Sequence, residues 1–379
     1  MITDSEPLSY ALLSLGSNLG KREENLQRAV NLIFKQLGNI TKISSVYETP
    51  AWGFDGAAFL NCVLEIQTES DANQLMNEIL SIENTLGRKR NNKSSYESRI
   101  IDIDLLFYKD AVLNTEFITV PHPRIQERKF VLIPLHEIVP DFQHPMLNKK
   151  ISTLVSETQD TSQIEKSSFQ LKNPREAYRF DNYNYIAIEG NIGSGKTSLT
   201  KKIAADFQGK LILERFKDNP FLPKFYEDPN RYSFALEMSF LADRYQQLVD
   251  DIAQMDLFNN WIVADYDINK SLIFAEITLQ EDEFRLYKKL FHMMTHELPK
   301  PDLYIYLYQN TERLMENIQK RGRTFEHNIQ PEYLQKLNVG YLNYIKSSPS
   351  LNMKIIDVSA MDFVENRADY LTVLEALLE

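Results

Sequence analysis

The segment at residues 190–197, which reads GNIGSGKT, constrains the fold of this chain more than any other. It satisfies the pattern G-x-x-x-x-G-K-[ST], with an apolar stretch at 185–189 before it and apolar residues at helical spacing in 198–207 after it. Glycines let successive backbone N–H groups wrap a phosphate, and the start of the helix adds a favourable dipole. The segment predicts a strand, a phosphate-binding loop and a helix, which together bind a nucleoside triphosphate. The alternative is a glycine-rich turn that happens to precede a helix.

In this interpretation the Lys196 ammonium reaches the terminal phosphates and the Thr197 hydroxyl holds Mg²⁺. The complete predicted loop is Gly190, Asn191, Ile192, Gly193, Ser194, Gly195, Lys196 and Thr197. Further strands are expected at 211–213, 261–265 and 303–307, with helices at 232–255 and 281–296 between them. Strands that alternate with helices predict a parallel sheet covered on both faces, an α/β fold.

The length of 379 residues predicts about two domains. The clearest break is the polar segment at 156–182, which is dominated by Ser, Thr, Gln, Asn and charged residues and has no sustained period. We predict a first domain at 1–157, a linker at 158–182 and a second domain at 183–379. The first domain mixes strands and helices. Its strands are expected at 10–15, 59–67 and 100–108, and its helices at 23–37 and 75–86.

Composition excludes several classes of protein. A formal net charge of −11 argues against a protein that coats nucleic acid, since phosphate affinity comes from dense Lys and Arg. No apolar run approaches the ~18 residues of a membrane span. The only cysteine, Cys62, has no partner for an internal disulfide, and residues 1–6 lack the pattern of a secretory signal. We therefore expect a cytoplasmic protein whose partners are small molecules.

From about residue 183 to the C-terminus, several motifs occur in one order. They are IEGNIGSGKT at 188–197, LER at 213–215 with NPFL at 219–222, FYEDP at 225–229, FLADRY at 240–245, and KRGR at 320–323 followed by Glu326. In these motifs the second half resembles the deoxynucleoside kinase family, of the deoxyguanosine and deoxyadenosine type. The resemblance implies transfer of the ATP γ-phosphoryl group to the 5′-hydroxyl of a deoxynucleoside.

The resemblance also implies roles for individual residues. Glu214 matches the carboxylate that takes the proton from the 5′-hydroxyl, and it follows the expected strand at 211–213, where it would face the γ-phosphate. Arg321 and Arg323 match the arginines that neutralise charge on the transferring phosphoryl group. The implied substrate-binding residues are Tyr226 and Glu326 at the sugar 3′-hydroxyl, with Glu237 and Arg244 on the helix beside the base. The alternatives are an ordinary strand-end Glu for Glu214 and a solvated basic helix end for the arginines.

Two positions depart from the family pattern. The family has Asp/Glu-Arg-Ser after the third strand, where this chain has Asp265-Tyr266-Asp267. Asp265 would keep the metal-side role, but the arginine is absent, and Lys270 is one candidate to replace it.

The second departure is at Glu237, where many relatives have a Gln that hydrogen-bonds the base. A carboxylate accepts from the N1–H and N2–H₂ edge of guanine, so we expect a purine, deoxyguanosine before deoxyadenosine. The alternative for Glu237 is a surface charge.

In the first half, residues 100–107 read IIDIDLLF, which alternates with the period of a strand. Asp102 and Asp104 would lie about 7 Å apart on one face, with Ile103 and Leu105 on the other. Two carboxylates on one face suit Mg²⁺, although a wet acidic face has the same pattern. Cations flank this pair on both sides, as binding of Mg²⁺ with a triphosphate requires. They are Arg88, Arg90, Arg99, His122, Arg124 and Arg128.

In these residues and in five further motifs, the first half resembles the 6-hydroxymethyl-7,8-dihydropterin pyrophosphokinases over about residues 8–155. The further motifs are LGSNLG at 15–20, VYETP at 46–50, FLN at 59–61, GRKR at 87–90 and VPHPR at 120–124. The resemblance implies a ferredoxin-like α+β fold and transfer of pyrophosphate from ATP to the pterin hydroxymethyl oxygen. Asp102 and Asp104 would hold two Mg²⁺ ions. The implied phosphate-binding residues are Arg88, Arg90, Arg99, His122 and Arg128, with Glu83 near the nucleotide; Arg88 and Arg99 are the catalytic pair. The implied pterin-binding residues are Thr49, Pro50, Phe59, Asn61 and Phe130.

One loop departs from this second family, which usually has Trp-Gly-Pro where this chain has Tyr96-Glu97-Ser98 before Arg99. Closure over ATP is expected to differ there. The sequence as a whole predicts a bifunctional enzyme that uses ATP and Mg²⁺, and that forms a homodimer through the long helix at 232–255. Two alternatives stay open. One half could be a non-catalytic nucleotide-binding module, or the second half could be a thymidylate-type nucleotide kinase.

Overall fold

A computed structural model describes residues 9–88, 97–215, 219–252, 261–323, 326 and 329–378. The chain divides into two compact units, Met1–Tyr178 and Arg179–Glu379. Each unit has its own sheet and its own core. Within the described residues, no helix is long and apolar enough to cross a membrane.

The first unit is built on an antiparallel sheet. Its strands are β1 (Ser9–Ser17), β2 (Asn39–Ile43), β3 (Tyr47–Thr49), β4 (Phe59–Thr68) and β5 (Asp102–Tyr108), followed by a separate hairpin of β6 (Leu113–Asn114) and β7 (Thr119–Val120), and by β8 (Glu165–Lys166). The order in the sheet is β5-β1-β4-β3-β8, and β2 also pairs with β4. The helices are α1 (Arg22–Gln36), α2 (Ala72–Thr85), α3 (Lys129–Ile138) and α4 (Ile151–Glu157). This is the α+β arrangement that the sequence predicts.

The register of the sheet brings the sequence motifs of the first unit together. Gly16 on β1 lies opposite Asn61 on β4 and opposite Asp102 on β5, and Ser14 lies opposite Asp104. Directly opposed residues point to the same face of a sheet, so the amide and both carboxylates share one face. Along β5 the aspartates are partly exposed and the intervening Ile103 is buried, as the alternation predicts.

The segment predicted as a linker is attached to the first unit for most of its length. Glu165 and Lys166 form β8, which pairs with β3. The backbone of Lys172 donates to the side-chain oxygen of Gln27 at 2.8 Å, and the amide of Asn173 donates to the carbonyl of Ile40 at 3.0 Å. The boundary between the units therefore lies at residue 178, and 158–178 is not a free linker. A polar segment without hydrophobic periodicity can still form backbone hydrogen bonds to a neighbouring strand. Composition does not predict such tertiary pairing.

The second unit is built on a fully parallel sheet. Its strands are β9 (Tyr185–Gly190), β10 (Lys210–Ile212), β11 (Ile262–Ala264), β12 (Leu303–Tyr308) and β13 (Met353–Asp357), in the order β10-β11-β9-β12-β13. Its helices are α5 (Lys196–Phe207), α6 (Leu222–Glu227), α7 (Pro229–Ile252), α8 (Lys270–Thr278), α9 (Glu281–Thr295), α10 (Thr311–Arg321), α11 (Pro331–Ser347) and α12 (Arg367–Leu378). The parallel α/β fold matches the prediction. The long helix α7 begins three residues before the predicted position 232, and residues 253–255 lie outside the described part of the chain.

Candidate active sites

The carboxyl ends of three parallel strands form the candidate site of the second unit. The phosphate-binding loop follows β9, Glu214 follows β10 and Asp265 follows β11. In parallel sheets these ends meet at one edge, where ligands bind. Asp265 joins all three segments, because one carboxylate oxygen accepts the Thr197 hydroxyl and the other accepts the Glu214 backbone N–H at 2.7 Å.

Residues from later segments of the second unit pack against the phosphate-binding loop and hydrogen-bond to it. Gly193 and Gly195 have positive φ angles of 87° and 84°. A Cβ atom on Gly195 would lie 2.7 Å from the ring of Phe363, so a side chain at this position lacks both space and backbone freedom. The Asn191 amide donates to the Leu334 carbonyl at 2.8 Å and to the Asn338 side chain at 2.7 Å. These contacts fix a loop whose backbone N–H groups can wrap a phosphate.

Glu214 is held between two buried cations. Its Oε1 accepts two hydrogen bonds from the Arg244 guanidinium, at 2.9 and 2.6 Å, and its Oε2 accepts one from the Lys270 ammonium at 2.6 Å. Burial alone would raise the pKa of Glu214, but Lys270, Arg244 and Lys196 together lower it well below the usual range. Glu214 is therefore ionised at neutral pH. The cation Lys270 reaches it from the first position of α8.

Lys196 is the buried lysine of the loop. Its ammonium donates to the Asn191 carbonyl at 3.3 Å. Burial, followed by the nearby charge of Lys270, lowers the pKa of Lys196 to about 8. A bound phosphate would add negative charge beside Lys196, so the charged form of Lys196 is expected to be favoured when ATP is present.

Glu326 forms ion pairs with Arg321 and Arg323, the two arginines that the sequence predicts at the phosphoryl group. It accepts from Arg321 at 3.1 and 2.6 Å and from Arg323 at 3.2 Å, and it is 4% exposed. The Tyr226 ring packs against the cluster that contains Ile318 and Ile329, each within three positions of Arg321 or Glu326 in the chain. Burial and the Glu326 charge raise the pKa of its hydroxyl. The structure thus brings together Tyr226, Glu326 and both arginines at one place.

Glu237 points into the interior, which excludes the alternative of a surface charge. It is 2% exposed, and its Oε1 accepts the Thr278 hydroxyl at 3.0 Å. Its Oε2 is buried and has no hydrogen-bond partner among the described residues. Burial raises the pKa of Glu237 to about 7, because Arg244 offsets only part of the desolvation. A buried carboxyl oxygen without a partner is costly unless a ligand meets it.

The first unit has a cavity of about 130 Å³ at the end of β1, β4 and β5. It is lined by Ser14, Gly16, Thr49, Pro50, Trp52, Phe54, Phe59, Asn61, Arg99, Asp102, Asp104, His122, Arg128 and Phe130. All five residues expected at the pterin are in this lining. The Asn61 amide donates to the Thr49 hydroxyl at 2.8 Å, and a Cβ atom on Gly16 would lie 2.8 Å from Asn61 Oδ1. A side chain at position 16 would therefore force Asn61 to move.

Two aromatic residues in this cavity were missed by the sequence analysis. The Arg128 guanidinium lies 5.3 Å from the Trp52 ring and 5.7 Å from the Phe130 ring. The Phe54 ring meets the Phe59 ring edge-on at 6.3 Å between centroids. The available signal was the pair of aromatic residues that follows Pro50 within four positions. They extend the flat apolar surface that a fused ring system can contact.

The two aspartates of β5 meet different arginines. Arg88 and Arg99 each form an ion pair with Asp102, and Arg88 also pairs with the buried Glu83. Arg128 lies 3.6 Å from Asp104. Burial and the neighbouring Asp102 charge raise the pKa of Asp104 to about 7. Arg90 and Tyr96, which the sequence analysis also named, lie outside the described residues.

His122 differs from its predicted role as a cation. Burial, together with the charge of Arg128, lowers its pKa to about 4, so the imidazole is neutral at pH 7. Its Nδ1 accepts the Arg124 backbone N–H at 3.3 Å, which leaves Nε2 as the donor. His122 lines the cavity beside the aspartates and can give one hydrogen bond there, but no charge.

The donor set beside the cavity fits Mg²⁺ that arrives with a triphosphate. In the described part of the chain, no group of three or more His, Cys, Asp or Glu side chains is placed to enclose a metal ion. Asp102 and Asp104 offer a pair of carboxylates instead. Mg²⁺ is commonly held by one or two carboxylates, with phosphate oxygens and water completing its shell.

Comparison with known families agrees with both halves of this geometry. A model of the 7,8-dihydro-6-hydroxymethylpterin-pyrophosphokinase family matches residues 12–140, and a model of the deoxynucleoside kinase family matches residues 186–379. The chain belongs to both families. The sequence-based recognition of the two halves, their fold classes and their enzyme classes are thereby confirmed, and the chain is a bifunctional kinase.

Three curated relatives illustrate the similarity. The deoxyguanosine kinase of Bacillus subtilis (strain 168) is 41% identical over 190 residues, which cover 49% of this chain and 92% of that protein. The deoxyadenosine/deoxycytidine kinase of the same organism is 32% identical over 200 residues, 48% of this chain and 89% of that protein. The 2-amino-4-hydroxy-6-hydroxymethyldihydropteridine pyrophosphokinase of Aquifex aeolicus (strain VF5) is 40% identical over 145 residues, 38% and 89% respectively.

Proposed function

We propose that the second unit phosphorylates the 5′-hydroxyl of a purine deoxynucleoside, with deoxyguanosine preferred, and that the first unit transfers pyrophosphate from ATP to 6-hydroxymethyl-7,8-dihydropterin. Glu237 is the observation that carries the purine proposal. Its buried, unpartnered oxygen lies on α7, the helix that also carries Arg244, and an ionised carboxylate complements the donor edge of guanine. The 41% identity to a deoxyguanosine kinase supports the same base.

For phosphoryl transfer, Glu214 is proposed to accept the proton of the 5′-hydroxyl. The carboxylate is ionised, and its backbone is linked through Asp265 to Thr197 of the phosphate-binding loop, so it can accept a proton as the 5′-oxygen attacks. Tyr226 and Glu326 are proposed to bind the 3′-hydroxyl. Arg321 and Arg323, which pair with Glu326, would turn to the phosphoryl group when substrate is bound.

For pyrophosphoryl transfer, Asn61 and Thr49 are proposed to bind the pterin edge between the aromatic walls of the cavity. Arg88, Arg99 and Arg128 would bind ATP phosphates. Asp102 and Asp104 would hold Mg²⁺ in this unit, and Thr197 and Asp265 would hold it in the other. When bound, Mg²⁺ neutralises phosphate charge and aligns the phosphorus for attack.

A product assay of the whole chain tests both reactions. The chain is incubated with ATP and Mg²⁺ and with each of the four deoxynucleosides, dTMP or the pterin, and the products are separated chromatographically. We expect dGMP before dAMP, and AMP release with the pterin. Comparable phosphorylation of deoxycytidine would contradict the purine proposal, and preferred phosphorylation of dTMP would favour the thymidylate-type alternative.

Two expectations from the sequence stay predictions. The first is a homodimer through α7, which analytical ultracentrifugation of the whole chain can test. The second is a cytoplasmic location. The alternative that one unit binds nucleotide without turnover would be supported if the assay yielded only one of the two products, since a fold does not by itself establish activity.

A further inference from the structure

Lys270, one candidate from the sequence to replace the missing arginine, is a buried cation beside Glu214. Its side chain is 6% exposed, and its ammonium contacts Glu214 Oε2 at 2.6 Å. Lysine is seldom this buried unless it is paired, because removing an ammonium from water is costly. The other oxygen of Glu214 is already fully engaged by the forked guanidinium of Arg244. Among the residues that the structure describes, Glu214 therefore has one partner on each oxygen, and Lys270 holds the second.

The position of Lys270 in the chain explains how it reaches Glu214. The family's arginine would stand at 266, but Tyr266 is fully buried and its hydroxyl has no hydrogen-bond partner among the described residues. Helix α8 begins at Lys270, four residues later, about one helical turn. This start is fixed, because the Asp267 backbone N–H donates to Glu189 at 2.7 Å and the Lys270 N–H donates to the Asp267 carbonyl at 3.1 Å.

We propose that Lys270 is the positioning residue for Glu214 and supplies, from α8, the cation that the family's motif carries at position 266. This inference rests on the proposed deoxynucleoside kinase activity. Lys270 holds Oε2 while Arg244 holds Oε1, which fixes the plane of the carboxylate. The charge of Lys270 also extends to the loop, as its effect in lowering the pKa of Lys196 shows.

The test compares charge with shape at this position. Lys270→Arg keeps the cation, Lys270→Gln keeps a neutral donor, and Lys270→Met keeps only the length of the side chain. The control is Lys288→Met, an exposed lysine on α9. For each whole-chain variant, kcat and KM are measured for deoxyguanosine and ATP, together with thermal unfolding and the pterin activity of the first unit.

We expect Lys270→Met and Lys270→Gln to lower kcat by about 100-fold, with both KM values within about threefold, because a mispositioned base impairs the chemical step more than binding. Lys270→Arg should retain kcat within about tenfold, and Lys288→Met should match the wild type. Pterin activity should be unchanged throughout.

Two results would overturn the inference while leaving the proposed function intact. The first is a Lys270→Met variant with wild-type kcat. The second is a loss of kcat in Lys270→Arg equal to that in Lys270→Met, accompanied by a lower unfolding temperature, which indicates a purely structural role. If the wild-type chain phosphorylates no deoxynucleoside, the proposed function fails and the inference fails with it.

Discussion

Two buried glutamates in the second unit have pKa values that are shifted in opposite directions. Glu214 and Glu237 are both buried, and burial alone raises the pKa of each. Glu214 has direct contacts with two cations, which outweigh burial and lower its pKa. Among the described residues, the Glu237 side chain has a hydrogen bond only from the Thr278 hydroxyl, so burial prevails and its pKa rises to about 7. Direct ion pairs therefore decide which carboxyl stays charged at neutral pH.

The raised pKa of Glu237 predicts a pH-dependent choice of base. Below about pH 7 the group is protonated and can donate to adenine N1 while accepting from its amino group; above it, the carboxylate accepts both guanine donors. We therefore expect the ratio of kcat/KM for deoxyguanosine to that for deoxyadenosine to rise between about pH 6 and pH 8. Steady-state assays with both nucleosides across this range measure the ratio.

Glu237→Gln is the matched control for this prediction. The amide has nearly the same shape and does not titrate, so the ratio should become independent of pH in the variant. A ratio that stays flat in the wild type, or one that changes equally in Glu237→Gln, would show that Glu237 does not read the base through its charge.

At the scale of elements, the phosphate-binding loop depends on the packing of a distant segment. Gly195 has a φ angle of 84°, and the ring of Phe363, from the segment before α12, fills the space where a Cβ would stand. The loop is therefore stabilised by a residue 168 positions away in the chain (363 − 195 = 168). Such a contact belongs to the tertiary structure, although the glycine that permits it belongs to the motif.

Gly195→Ala should abolish nucleoside phosphorylation, since the variant adds a steric clash to a backbone strain of about 1–2 kcal/mol. Gly20→Ala, in the first unit, measures through thermal unfolding what the strain alone costs, because Gly20 has a φ angle of 68° with no atom within 4 Å of the added Cβ. It carries the strain without the clash. Activity assays and thermal unfolding of both variants separate the two effects, and near-wild-type kinase activity in Gly195→Ala would contradict this account.

The segment at 158–178 is the second element that the structure changes. Besides β8, its Asp160 carboxylate accepts the Lys129 backbone N–H at 2.9 Å, at the start of α3. We expect a fragment of residues 1–178 to unfold at a higher temperature than a fragment of residues 1–157, because the shorter one loses the strand pair and these hydrogen bonds. Circular dichroism melting of the two fragments tests this, and equal melting temperatures would restore the linker interpretation.

At the scale of the whole molecule, the two candidate sites draw their side chains from separate units. Asp102 and its arginines all belong to Met1–Tyr178, and Glu214 with its cations belongs to Arg179–Glu379. Each unit has its own core, so damage to one site need not disturb the other. The chain therefore carries two chemistries that can be removed one at a time.

Asp102→Ala should lower the pterin pyrophosphokinase activity by at least about 100-fold and spare nucleoside phosphorylation, and Glu214→Gln should do the reverse. Both products are measured from the same whole-chain preparation. The unaffected activity of each variant serves as the control for folding. Loss of both activities from either single substitution would contradict the assignment of separate sites.

Much of each site could be predicted because its residues are close in sequence or lie at defined strand ends. The pairing of Asp102 with Asp104 follows from the two-residue period of a strand. The meeting of Glu214, Asp265 and the loop follows from the geometry of parallel sheets. Lys270 was only one candidate from the sequence and Phe363 was not predicted as part of a site, because each reaches its site from an element whose packing no local pattern specifies.

The sequence alone determined the two fold classes, the two families and the residues that can carry phosphate chemistry, because loop motifs and strand periods are local properties. Only the tertiary structure decided which residues are charged and what partners they have. Glu214 and Glu237 have the same side chain, and their pKa values differ because burial and through-space charge depend on packing. The attachment of residues 158–178 to the first unit was decided in the same way, by backbone pairing that polar composition does not encode.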